Sequence, residues 1–480
     1  MVTENQYLFK KTKIICTIGP SSSDDRTILS MIQKGMNVAR LNASHADHPT
    51  LAQWIKTIRK AEKEALVPIP ILLDLQGPKI RMGEMEDGKP VGLHSGQELV
   101  ITTETVLGNE KRISTTYKSL PKMVNPGDIL FLNDGLVRLK VKEKTSKEIH
   151  AVIETGGVIS NFKGINIPGG AFKGNRLTKK DKKDIQFALD YQIDFLAISF
   201  VEKASDIQLV KKQMGSANNP PLLIAKIERS LALKNLDKIL SVSDGVMIAR
   251  GDLGVEIRLE RVPLTQKEII KKSLLEKRFS IVATQMLESM THGPQPTRAE
   301  VSDVANSILD HTDGIMLSGE TAMGKNPVEA VNFMSKIALE IEENEFKNPL
   351  ASDRIKGTIL SSTDAITWSA VEAADNLNLE KIVVFTETGK SARSLSLRRP
   401  RQQIFAFTPY DNVLHQLQIL HGVFAQKISK AHSLEQLLKT MENLGLKKQF
   451  WKKNETVIVI AGPPGKSGGT NLVKIHEIGI

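Results

Sequence analysis

In Pro220-Pro-Leu-Leu-Ile-Ala-Lys-Ile-Glu-Arg-Ser230, four apolar residues follow two prolines and then give way to charge. Leu222 to Ala225 read as a short strand buried on both faces, as in a parallel sheet. At a two-residue period Lys226 and Glu228 project to one side and Ile227 to the other. Alone, that pair fits a buried ion pair or a strand reaching solvent better than it fits a catalytic pair. The other strand ends of the chain shift that balance.

Similar apolar runs stand on either side. Lys13–Ile18 is closed by Gly19-Pro20, Val38–Leu41 follows a helix ending at Gly35, and Pro70–Leu75 is turned by Gly77-Pro78. After Thr178 and Asp181, a capping-box pair opening a helix, come Phe195–Ser199, Leu222–Glu228, Gly245–Ala249, Ser280–Thr284 and Gly314–Leu317. About eight strand–helix units result, the number that closes a (β/α)8 TIM barrel. Between Gly83 and Ala171 the helical alternation stops. Val137, Leu139 and Val141 alternate on one strand face there, and Asn125-Pro-Gly-Asp128 and Asn133-Asp-Gly135 supply turns. This predicts an all-β insertion of roughly 90 residues at the barrel's C-terminal face. Beyond Asn348-Pro349 the runs Lys381–Thr386, Gln403–Thr408, Val423–Ile428 and Thr456–Ala461 predict a separate open α/β domain. The expected domains are therefore 1–82 and 172–346 for the barrel, 83–171 for the β insertion and 347–480 for the C-terminal α/β unit.

The 480 residues, 40% hydrophobic and 25% charged, suit a soluble globular chain with a large core. The formal net charge of +11 permits nucleic-acid binding, but it is spread rather than blocked, and a basic surface that attracts anionic metabolites explains it as well. Cys16 is the only cysteine, which excludes an internal disulfide and suits a reducing cytoplasm. Met1 to Lys13 hold no apolar signal segment, and no run reaches membrane-spanning length.

Active sites of such barrels lie where the strands end. Here those ends carry Arg40 and Asn42, then Asp74 with Lys79 and Arg81 behind it, then Ser199, then Lys226 and Glu228. Arg250-Gly-Asp-Leu-Gly254, Thr284-Gln285 and Ser318-Gly-Glu320 complete the ring. Each has a bland reading: Ser199 and Asp252 as helix caps, Thr284 as a core hydroxyl, His45 as a corner residue, Pro20 as a strand terminator, the cations as rim salt bridges. A whole ring rich in both carboxylates and cations is hard to explain by packing. Glu228 and Asp252 on neighbouring strands suit a hard divalent cation that keeps waters and borrows substrate oxygens. Gly251 lets backbone amides approach an anion. Arg40, Lys79, Arg81 and Lys226 would surround a multiply charged substrate.

Several long segments, in order, resemble pyruvate kinase. They are Thr12–Ser22, Ala39–His45, Asp74–Arg81, Ala225–Glu228, Ala249–Glu256, Ala283–Ser289, Pro296–Glu300 and Met316–Thr321. The resemblance implies phosphoryl transfer from phosphoenolpyruvate to ADP, giving ATP and, after protonation of the enolate, pyruvate. By it Glu228 and Asp252 hold Mg²⁺ or Mn²⁺, and Lys226 stabilises the moving phosphoryl group and enolate charge. Arg40 and Arg81 contact phosphate. Ser199 falls on the substrate side, and Gly251 and Asp252 amides with Thr284 hold the carboxylate. Pro20, Asn42, His45, Arg81 and Lys163 fall on the nucleotide side. The β insertion corresponds to a mobile lid. A homotetramer in the cytoplasm, with no nucleic-acid or membrane partner, is also implied.

Family members that need K⁺ carry a Thr-Lys-Gly-Pro-Glu type sequence after the third-strand aspartate. Here Leu75, Gln76 and Lys79 replace it, while Asn42, Ser44 and Asp74 still match the cation ligands and Leu75 takes the fourth position. The expectation is that the Lys79 ammonium replaces potassium. In the C-terminal unit, Thr386, Thr388, Gly389, Lys390 and Ser391 offer hydroxyls and amides to the phosphate of an allosteric effector. Pro463-Pro-Gly-Lys-Ser-Gly-Gly-Thr470 would close over it; the spacing of a Walker loop is absent. Glu387 stands where some fructose-bisphosphate-activated relatives carry lysine. Two other readings stay open at this level: a lyase or aldolase on a metal-bearing barrel, and a non-catalytic metabolite or nucleic-acid binder.

Overall fold

The computed structural model describes residues 7, 9–133, 135–170, 174, 176–347, 361–463 and 469–479. Eight parallel strands close into a barrel: Lys13–Thr17, Met36–Asn42, Ile71–Asp74, Phe195–Ile198, Leu222–Ile227, Gly245–Ala249, Phe279–Ala283 and Gly314–Leu317. Period-2 alternation divides each strand between two cores. Leu223, Ala225 and Ile227 join the buried cluster under the surrounding helices, whereas Ile224 belongs with Ile15, Leu72, Ala197, Met247 and Ile281 in the barrel interior. Lys226 continues the Ile224 face, so the strand itself carries its ammonium to the top of the interior. At the bottom, Gly245 must be small: a Cβ there would lie 2.3 Å from the Phe279 ring, which packs edge-on to Phe195.

The insertion is all β, as its turn spacing predicts. A two-stranded sheet (Val91–Leu93 with Gly157–Ile159) sits beside a six-stranded one. The latter holds Val137–Lys144, where Val137, Leu139 and Val141 are buried and the residues between them exposed. The outgoing and returning chains pair with each other: Met82 N–H donates to Lys163 O at 2.8 Å, Ile165 N–H to Ile80 O at 2.9 Å, and Arg81 bridges Gly164. At the outgoing root, Asp181 Oδ1 accepts from Gly77 N–H (3.1 Å), while the same carboxylate closes the capping box with Thr178.

The C-terminal unit is a five-stranded sheet in the order Val423–Lys427, Gln403–Thr408, Lys381–Phe385, Thr456–Ala461, Leu472–Glu477. The fifth strand is antiparallel and was not expected. It is an edge strand on which, of six residues, only His476 is buried, so it lacks the apolar run that marks the other four. The sequence-based strands also run one residue too far at Ser199 and Thr284, where the backbone leaves the sheet.

Charged and polar contacts join this unit to the barrel. Arg399 forks onto Asp313 (3.0 Å to each oxygen), which also accepts from the backbone amides of Ser280 (3.0 Å) and His421 (3.2 Å). Lys13 Nζ donates to Val423 O at 2.6 Å and lies over the Phe424 ring; burial pulls its pKa down to about 7. His415 has Glu62 on one ring nitrogen (2.5 Å) and Asp194 on the other (3.3 Å). Burial opposes its charge, but these two carboxylates prevail and push its pKa up to about 9.

Candidate active site

The strand ends meet around a cavity of about 160 Å³ lined by Arg40, Asn42, Ser44, His45, Asp74, Leu75, Lys79, Arg81, Ser199, Lys226, Glu228, Asp252 and Thr284. Of the predicted residues on this side, Pro20, Lys163 and Gly251 are not in its lining. Gly251 stands directly behind it, its amide donating to Thr284 Oγ1 at 2.9 Å. Lys163 is exposed on the returning chain of the insertion, and Pro20 is exposed after the first strand.

Lys226 Nζ is the centre of a polar knot. It lies 2.9 Å from Glu228 Oε1 and 3.2 Å from Asp74 Oδ1, and donates to Ser199 Oγ at 2.9 Å. Burial alone would favour the neutral amine, but Asp74 and Glu228 outweigh it and hold the pKa above that of an ordinary lysine. Asp74 works in reverse. Burial disfavours its charge, while Lys226 and Arg40 keep its carboxyl below the usual range. Arg40 reaches Asp74 Oδ2 through Nε (3.0 Å) and Nη2 (2.7 Å) and is steadied by Thr17 Oγ1 (2.8 Å).

Phe200, Thr284 and Gln285 leave their barrel strands with left-handed backbone, and the first two serve the site. Phe200 (φ 57°) turns its amide onto Glu228 Oε2 at 2.7 Å. Thr284 has φ 70°, a strained conformation for a β-branched residue, of order 1–3 kcal/mol. It is held there from both sides. Thr284 Oγ1 donates to Ala283 O (2.6 Å), and its carbonyl accepts from Arg250 Nη2 (2.8 Å), itself paired with Asp303. Thr17, Phe200 and Arg250 escaped sequence reasoning as supports of the site. The Arg250-Gly-Asp run signalled one of them; nothing in the sequence signals a left-handed Phe200.

The donor set suits a divalent cation of a particular kind. Among the described residues there is no group of three or more His, Cys, Asp or Glu placed to enclose a metal. Glu228 and Asp252 share the cavity wall, and two carboxylates completed by water and substrate oxygens are what Mg²⁺ takes. Three of the four proposed potassium ligands are engaged by protein donors: Asn42 Oδ1 accepts from Ser44 N–H (3.0 Å), Leu75 O from Ser199 Oγ (2.7 Å), and Asp74 from Arg40 and Lys226. Lys79 runs past Gly164, where a Cβ would lie 2.8 Å from Lys79 Cε. On the outer rim Arg81 Nη1 donates to Phe162 O at 2.9 Å. His45 is pulled down by its half-burial and by Arg81, Arg40, Lys79 and Lys163, so its ring sits neutral in a field of four cations.

A second cavity, about 310 Å³, lies in the C-terminal unit and is lined by Thr386, Glu387, Thr388, Lys390 and Ser391 with Tyr410, Lys430 and Thr470. Gly389, at φ 79°, gives its amide to Thr386 Oγ1 at 3.0 Å. Ser391 and Thr470 share a hydroxyl–hydroxyl bond of 2.5 Å. Positions 464–468 of the second glycine-rich loop lie outside the described residues.

Residues 9–331 match the family model for the pyruvate kinase barrel domain, and residues 364–476 that for its alpha/beta domain. The chain is 42% identical over 473 residues to pyruvate kinase of Bacillus licheniformis, covering 98% of this chain and 81% of that one. It is 40% identical over 475 residues to that of Thermococcus litoralis, covering 98% of both. A crystal structure of a pyruvate kinase from Cryptosporidium parvum superposes with a TM-score of 0.91 at 37% identity, covering 100% of this chain and 98% of that one. Barrel, insertion and C-terminal sheet are matched across the chain's whole length by a solved relative, and the chain belongs to the pyruvate kinase family of enzymes.

Proposed function

We propose that the cavity at the barrel's strand ends transfers the phosphoryl group of phosphoenolpyruvate to ADP, and that Lys226 is its central catalytic residue. One observation carries this reading: an ammonium held between two carboxylates opens onto a cavity ringed by further cations. Phosphoryl transfer needs positioned positive charge more than a nucleophile. Lys226 and Arg40 would meet the phosphoryl oxygens from inside the barrel and Arg81 from the rim. Ser199 holds the ammonium in place. The Gly251 and Asp252 amides, with Thr284, would receive the substrate carboxylate, and Thr284 would lie on the proton's path to the enolate. Pro20, Asn42, His45 and Lys163 would line the nucleotide side, and the insertion would close over it to exclude water. Glu228 and Asp252 would hold Mg²⁺ or Mn²⁺, which would supply neutralisation of the developing negative charge. Pyruvate formation should require ADP and a divalent cation together; formation without ADP would favour a lyase and overturn the reading.

We further propose that the enzyme works without potassium. In support, the oxygens of Asn42, Asp74 and Leu75 already accept from protein donors, and Lys79, which takes the place of the family's glutamate in the sequence, lines the same cavity. In Tris buffer free of K⁺, adding KCl should change the rate less than about twofold; a large rise would sink the proposal.

The C-terminal cavity is proposed to take a phosphorylated allosteric effector through Thr386, Thr388, Gly389, Lys390 and Ser391. In a thermal-shift panel of phosphorylated metabolites, at least one should raise Tm in the wild type and not in Lys390→Ala. No shift with any of them would leave the cavity a surface cleft. Assembly as a cytoplasmic homotetramer is the family's pattern, and the mass from light scattering reads the oligomer directly.

A further inference from the structure

Beside the site lies a charged cluster that the chemistry above does not use. Arg229 follows Glu228 at the end of the fifth strand, and Glu256 lies four residues beyond Asp252 on the helix Arg250–Glu256. Their side chains meet. Arg229 Nε faces Glu256 Oε1 at 3.4 Å, and both groups are largely buried. Both also hold the return root of the inserted domain. Arg229 Nη2 donates to Gly170 O, and Glu256 Oε2 accepts from Gly169 N–H at 3.4 Å and from the Ser230 amide and hydroxyl at 3.3 Å each. The same helix touches the insertion a second time, at Gly135, where a Cβ would lie 2.9 Å from Val255 Cγ2.

Three segments are therefore pinned at one point: the strand end bearing Glu228, the helix bearing Asp252, and the chain returning from the inserted domain. The pin has slack. Arg229 Nε and Glu256 Oε1 are buried yet lack hydrogen-bond geometry with each other or with any other described group.

We propose that Arg229 and Glu256 are positioning residues that register the inserted domain against the two carboxylate-bearing segments, so that closure of the domain and the spacing of Glu228 and Asp252 change together. This rests on the reading of Glu228 and Asp252 as the holders of the divalent cation. It assigns Arg229 no contact with substrate. Its guanidinium is committed to Gly170 O, Glu256 and, at 3.6 Å, Glu202.

The test uses the full-length enzyme and two readouts: Mn²⁺ binding without substrates, followed by electron paramagnetic resonance, and steady-state rates with Mg²⁺ and ADP varied. Arg229→Ala should weaken Mn²⁺ binding and raise both the Mg²⁺ half-saturation and the KM for ADP about tenfold, with kcat within about threefold of wild type. Glu256→Gln keeps an acceptor for Gly169 and Ser230 and removes only the charge; it should move the same constants in the same direction, and it stands in if Arg229→Ala does not fold. The double variant should be no worse than the poorer single one, because the pair acts as a unit. Constants within about twofold of wild type, losses that simply add, or a lower Tm with unchanged constants would each overturn the proposal. A wild-type enzyme that neither binds Mn²⁺ nor responds to Mg²⁺ would instead refute the underlying reading of Glu228 and Asp252.

Discussion

Lys226→Ala should lower turnover about 10³-fold while leaving Mn²⁺ binding nearly intact. The ammonium is delivered to the cavity by the barrel's own interior face, as Arg40 is, and it stays charged because Asp74 and Glu228 overcome the penalty of burial. Removing it takes away charge that opposes the developing charge of the phosphoryl group and enolate. It should not unravel the site. Asp74 keeps the Arg40 fork, and Glu228 keeps the Phe200 amide. Glu228→Ala should behave differently. Its main effect should be a higher Mg²⁺ requirement, with activity partly recovered at high concentration. Stopped-assay rates and Mn²⁺ binding separate the two variants. If both keep turnover within tenfold of wild type, the catalytic reading of this strand end is wrong.

The pairing of Lys226 with Glu228 was legible from spacing alone, because a strand's period is fixed and an apolar run interrupted by charge locates its end. The barrel was legible for the same reason, repeated eight times. What escaped the sequence lies where backbone, rather than side-chain pattern, decides. Phe200 and Thr284 leave their strands with positive φ, a choice imposed by the hydrogen bonds they complete and invisible in residue type. The edge strand Leu472–Glu477 was missed because an edge needs no buried face to form a ladder. Arg250 was noticed as part of a run, but its grip on the Thr284 and Gln285 carbonyls depends on two loops meeting in space.

The largest loss of stability should come from Asp313→Ala. Asp313 is 1% exposed and Arg399 9%, so the fork between them is shielded from water. Breaking such a pair by removing one partner costs about 3–5 kcal/mol, because the remaining charge stays buried. Here the loss extends further. The Ser280 amide at the start of a barrel strand and the His421 amide in the C-terminal unit both lose their acceptor. Arg399 would retain only the carbonyls of His311 (2.8 Å) and Ser396 (3.1 Å) and the Ser396 hydroxyl. Asp313→Asn, whose single carbonyl oxygen can still accept from one of the two amides, should lose less. Urea unfolding followed by tryptophan fluorescence gives the comparison; a shift under about 1 kcal/mol for the alanine variant would show that the fork adds little beyond a surface pair.

The ladder between the outgoing and returning chains at Met82 and Lys163 bears on how the polypeptide assembles. A barrel interrupted after its third strand must bring that strand beside Phe195–Ile198 across the whole insertion. The chain-entropy penalty for closing so long a loop rises only with the logarithm of its length, to about 4 kcal/mol for some 80 residues. Once the insertion has built its own core, its two ends emerge side by side and the long loop becomes a short one. Independent folding of the insertion thus shortens the effective contact order of the barrel, and slowing it should slow barrel closure as well.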